Sequence, residues 1–198
     1  MTVEDEYFTD AVFIGDSRTV GLWEYGGLEE VSTFYASKGL TIYTLPEAKI
    51  VSVEGQKEKI TVYEALSGAE FKKIYLMVGI NELGTGDVER FVNAYRDVLE
   101  EFHRLQPEAV IYIQAILKVT TKRSEQGDYI TNEGIEERNE GIRALADDVT
   151  FFYLDANPVI CDESGGMKEE YTTDGVHLKG KDIYIWKDFL KEHAVVLD

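Results

Sequence analysis

The chain is poor in several residue types, and each shortage excludes something. Its 198 residues include one cysteine, Cys161, which excludes an intrachain disulfide and a cysteine-based zinc site. Histidine occurs three times, at His103, His177 and His193, so any imidazole chemistry has few candidates. Basic residues are scarce, with 20 Lys+Arg against 38 Asp+Glu and a net charge of −18. Nucleic-acid binding needs a basic footprint to neutralise phosphates, so that class is excluded, as is electrostatic docking on anionic lipid. No apolar run approaches the ~20 residues that cross a bilayer, so no integral membrane segment is expected. The start, MTVEDEYFTD, is acidic and lacks the apolar stretch of a signal peptide. As given the chain reads as cytoplasmic; the alternative is an exported or cell-surface protein with its signal segment removed.

What is present suits a globular fold. Apolar residues make up 44% and aromatics 12%, enough for a real core. The length suits one domain over 1–198, with its core from about 7 to 193. Strand-like and helical stretches alternate. Ala11 to Ile14, Val31 to Tyr35, Ile74 to Val78, Val110 to Leu117 and Phe151 to Leu154 read as short buried strands. Ser17 to Tyr25 reads as a turn into a helix. Phe91, Tyr95, Val98, Phe102 and Leu105 share one face of a helix over Val88 to Leu105. Ile135, Asn139, Ile142 and Leu145 do so over Glu133 to Asp147, and Ile183, Trp186, Phe189 and Leu190 form the stripe of a closing helix. Lys49 to Val53 and Glu58 to Val62 read as a hairpin about Gly55, with a capping box at Thr61 and Glu64. Lys118 to Thr131 reads as a polar loop. Such alternation predicts a parallel sheet with helices on both faces, whose ligand site lies past the carboxyl ends of the strands.

Three segments at those ends, and a fourth in the final loop, carry chemistry. Gly15-Asp16-Ser17-Arg18 places a serine between a buried strand and a helix N-terminus, as a nucleophile or as the helix cap. Ser37-Lys38-Gly39 offers a backbone N–H that a ligand can approach, or a plain turn. Gly79-Ile80-Asn81-Glu82 offers an amide side chain that can donate to an oxyanion or cap a turn. Asp174-Gly175-Val176-His177 can set a carboxylate against one imidazole nitrogen, with the other facing the serine. His103 lies beside an apolar stripe near a helix end and His193 in the closing polar stretch, so neither competes.

These blocks, in this order, resemble the SGNH hydrolase family, also called GDSL-type esterases and acylhydrolases, from about Tyr7 to about His193. Arg18 stands where the family usually has leucine, and Glu82 where it has aspartate. Ile113-Gln114-Ala115-Ile116-Leu117 resembles the family's fourth strand, with Lys118 in place of a frequent proline. Asn139 also recurs in the family and reads best as a buried structural amide. The resemblance implies an α/β, flavodoxin-like three-layer α/β/α sandwich with a central, mostly parallel five-stranded sheet. It implies Ser17 as nucleophile, His177 as base then acid, and Asp174 as the orienting carboxylate. Ser17, Gly39 and Asn81 would form the oxyanion hole, and Arg18 and Glu82 are expected to contact substrate. No cofactor or metal is implied. With no long apolar lid and an acidic surface, the expected substrate is a small neutral ester, above all an acetyl ester of a carbohydrate. An acyltransferase on the same fold and a non-catalytic carbohydrate-binding module are the alternatives.

Overall fold

The computed structural model describes residues 2–195. The first strand, β1 (Ala11–Gly15), leads into α1 (Ser17–Tyr25) and the edge strand β2 (Thr33–Ala36). A small antiparallel pair, β3 (Lys49–Val51) with β4 (Ile60–Thr61), precedes α2 (Val62–Ser67). Next come β5 (Lys73–Met77), α3 (Val88–Leu105) and β6 (Val110–Gln114). The chain continues through α4 (Thr121–Ser124), α5 (Asn132–Arg143), β7 (Phe151–Leu154), α6 (Asn157–Ile160) and α7 (Tyr184–Glu192).

β2, β1, β5, β6 and β7 lie side by side in that order, and all their pairings are parallel. The order reverses between β1 and β5. This is the flavodoxin-like arrangement, whose ligand site lies at that switch. Strand side chains alternate between two cores. Val12, Ile14, Ile74, Leu76, Ile111 and Ile113 pack with the buried faces of α2, α3 and α5. Phe13, Tyr75, Met77 and Tyr112 face the opposite way and pack with Leu22 of α1 and Trp186, Phe189 and Leu190 of α7. Both faces are therefore covered, which explains why the strands read as continuous apolar runs rather than as alternating ones.

The expected strands and major helices are present, with departures of detail: β6 ends at Gln114 rather than Leu117, and α5 ends at Arg143, which leaves Leu145 beyond the helix. The residues around Gly55 do turn back, but their strands are shorter than expected and form a separate sheet. The capping box closes there: Glu64 N–H donates to the Thr61 hydroxyl at 3.1 Å, and Thr61 N–H to the Glu64 carboxylate at 2.7 Å. The stretch expected to be loop, Lys118 to Thr131, contains α4, capped by the Thr120 side chain. A four-residue helix is too short for hydrophobic periodicity to reveal it.

Candidate active site

β1 runs straight into α1 with no slack, which requires glycine at its end. A Cβ on Gly15 would stand 2.1 Å from Thr19 Oγ1 and 2.5 Å from Met77 O. Asp16 is the N-cap of α1, its carboxylate accepting the Arg18 N–H at 2.9 Å. The capping task therefore falls to Asp16, and the Ser17 hydroxyl is released from it. That hydroxyl donates to His177 Nε2 at 2.8 Å, while His177 Nδ1 donates to Asp174 Oδ2 at 2.7 Å. An ionised carboxylate only accepts, so Asp174 keeps the ring proton on Nδ1 and leaves the Nε2 lone pair facing Ser17. Asp174 Oδ1 accepts the N–H groups of Val176 and His177, both at 2.8 Å. Partial burial pushes the Asp174 carboxyl up, but the His177 N–H and ring and the Val176 N–H more than offset this and hold it well below the usual carboxylate range. It is thus ionised at neutral pH.

The loop carrying Asp174 and His177 is fastened from outside. Thr120 N–H donates to Gly175 O at 2.9 Å, and Gly175 N–H to the Thr172 hydroxyl at 3.0 Å. Nothing in the local sequence pattern singles out Thr120, which reaches the loop only through the fold. Asp16, by contrast, takes the capping role that the sequence alone offers to Ser17; an Asp ahead of a helical stretch is a strong N-cap signal that could have found it.

A turn over Ser37 to Leu40 forms the second wall. Leu40 N–H closes it on Ser37 O at 3.1 Å, and Ser37 N–H ties it to Gly15 O at 3.1 Å. Gly39 takes φ +80°, the left-handed conformation that a type II turn asks for at this point. Its N–H is exposed and has no partner among the described residues. Asn81 Nδ2 donates one hydrogen to Leu40 O at 3.1 Å, leaving a second. These ties bring the first turn of α1, the Gly39 N–H and the Asn81 amide to the carboxyl ends of β1, β2 and β5. First-turn N–H groups have no intrahelical acceptor, so the start of α1 presents free donors there.

Arg18 and Glu82 lie beneath this rim rather than on it. Arg18 is 4% exposed, and its guanidinium donates to Leu117 O and Val176 O. Glu82 is 1% exposed and accepts the Ile42 N–H on Oε1 at 2.7 Å. Both side chains are inward-facing groups that hold neighbouring loops, and Arg18 also lines the small cavity beside Ser17 and His177. Asn139 is a buried amide bonded to both sides of Ile116, at 2.8 Å and 3.0 Å. His103 packs edge-on to Phe151 and His193 stacks on Phe189, so neither belongs to the site. Among the described residues no three His, Cys, Asp or Glu side chains gather as a metal-binding group.

A model of the GDSL-like lipase/acylhydrolase family matches residues 13–181. The chain belongs to that family. Its fold is shared with several solved structures. A GDSL-like lipase from Bacteroides thetaiotaomicron is 17% identical with a TM-score of 0.67, over 98% of this chain and 93% of that one. A carbohydrate esterase family 3 protein from Talaromyces cellulolyticus is 13% identical with a TM-score of 0.63, over 92% and 94%. The acetylxylan esterase Axe2 from Geobacillus stearothermophilus is 14% identical with a TM-score of 0.62, over 94% of each chain. At these identities the likeness establishes the fold of this GDSL-like family member and leaves its substrate to the site itself. No curated protein matches the sequence. Among the described residues no helix is long and apolar enough to cross a membrane.

Proposed function

We propose that the protein is a serine esterase that removes small acyl groups, acetyl above all, from neutral alcohols such as carbohydrate hydroxyls. The observation that carries this reading is the hydrogen-bonded chain from Ser17 Oγ through His177 to Asp174, at 2.8 Å and 2.7 Å. A serine hydroxyl is a weak nucleophile until a base takes its proton, and Nε2 stands ready to do so. As Ser17 Oγ attacks the ester carbonyl, the proton moves to Nε2 and the Asp174 carboxylate stabilises the imidazolium. The oxyanion that forms receives hydrogen bonds from the Ser17 and Gly39 N–H groups and the free Asn81 amide hydrogen. The imidazolium then gives its proton to the departing alcohol. Water, deprotonated by the same nitrogen, releases the acid from the acyl-serine.

Three features support the substrate class. The small cleft adjoining Ser17 and His177 measures ≈ 20 Å³ and is lined by Arg18, Leu117, Val176, Leu178, Ile183 and Trp186. A water needs roughly 10–15 Å³ by the same measure, so this space suits a methyl-sized group. The charge of −18 disfavours anionic esters. Tyr129, 56% exposed, packs over Gly84 three residues past Asn81 and offers an aromatic face to a sugar ring. Fluorophosphonate labelling of wild type and Ser17→Ala, with p-nitrophenyl acetate and octanoate as substrates, tests the reading. A serine-dependent adduct and faster acetate cleavage are expected; no adduct, or faster octanoate cleavage, refutes it.

A further inference from the structure

The side chains of His177 and Asp174 are 44% and 52% exposed, so packing alone does not pin the ring against Ser17. Among the described residues two hydrogen bonds join α1 to the loop of residues 172–178: Ser17 to His177, and Arg18 Nη2 to Val176 O at 3.2 Å. The first is broken and remade by the chemistry just described. The second persists through it. Arg18 Nη1 also donates to Leu117 O, beyond the end of β6, so one planar fork links the start of α1, the segment after β6 and the base-bearing loop.

A side chain placed there for packing alone would not be an arginine. Burying a guanidinium is costly unless its donors and charge are met, and Nε has no partner. Burial pushes Arg18 down to about 10, with the Asp16 and Asp174 carboxylates opposing, so it is a cation at neutral pH. Arg18 lines the same small cavity as Ser17 and His177.

We propose that Arg18 is a positioning residue that clamps the loop bearing Asp174 and His177 to the nucleophile helix, keeping Nε2 within proton-transfer reach of Ser17 Oγ. The inference rests on the esterase reading.

The test compares wild type, Arg18→Met and Arg18→Lys by kcat and KM on p-nitrophenyl acetate, with thermal melting as the check on folding. In R18M, kcat is expected to fall about 10- to 100-fold, the scale of a modest misplacement of reacting groups, with KM nearly unchanged. R18K keeps the charge but not the fork, so kcat should recover only in part. A folded R18M with wild-type kcat overturns the proposal, as does a loss that falls on KM rather than kcat. Should R18M not fold, R18K decides: reduced kcat at unchanged KM supports the clamp, and wild-type kcat overturns it. Wild type that takes no serine-dependent fluorophosphonate label removes the esterase reading and this inference with it. Labelling of wild type with R18M kinetically identical removes this inference alone.

Discussion

Replacing Glu82 with glutamine should make the stability of this protein less sensitive to pH, and the size of the effect follows from the geometry. Glu82 is buried, with Oε1 holding the Ile42 N–H and Oε2 lacking any partner. Burial pushes its carboxyl from 4.5 to about 7, with the Ile42 N–H opposing and the charge of Asp16 adding to the rise. The folded state therefore binds the proton more tightly than the unfolded chain does. Its stabilising effect is complete below the unfolded value and is lost as pH rises through the folded one. At about 1.36 kcal/mol per unit, the wild type should lose about 2–3 kcal/mol from this group between pH 5 and pH 8. Glu82→Gln keeps an acceptor for Ile42 and cannot titrate. Its new amide donor, buried without a partner, costs about 1–3 kcal/mol at either pH and cancels from the comparison. Urea unfolding of both proteins at pH 5 and pH 8 isolates the difference. If wild type and Glu82→Gln differ by the same amount at both pH values, the carboxyl is not held neutral by burial and the reasoning fails.

Asn81→Ala should lower kcat by about 10²–10³ if the free amide hydrogen serves the oxyanion, and steady-state kinetics on p-nitrophenyl acetate would show an unchanged kcat if it does not. Gly15→Ala should destabilise the fold by more than the ~1 kcal/mol of an ordinary substitution, because its Cβ would meet backbone at Met77 O; denaturant midpoints equal to wild type would contradict this. Tyr129→Ala should raise KM for an acetylated oligosaccharide while leaving p-nitrophenyl acetate turnover unchanged. Equal effects on both substrates would argue against a sugar platform.

Much of the molecule was legible because its signals are local. A strand covered on both faces must be apolar throughout, as β1, β5 and β6 are, and a helix facing a sheet must repeat its apolar residues at the helical period, as α3 does. Those rules order the elements and place the reactive segments at strand ends. Asp174 and His177 were readable as a pair because three residues separate them in one loop. The link from His177 to Ser17 spans 160 residues, and only the order of the blocks pointed to it.

The sequence by itself determined the strands, the major helices, the acidic character and the short list of reactive side chains. Each of these depends on residue type and near-neighbour spacing. Tertiary structure decided which polar residue faces which way. Arg18 and Glu82 sit next to Ser17 and Asn81 in the chain, and a one-dimensional reading aims them at substrate. The folded chain turns both inward, where Arg18 meets carbonyls 99 and 158 residues away and Glu82 meets an N–H 40 residues away. Burial and hydrogen-bond satisfaction are properties of the packed whole, and no local pattern encodes them.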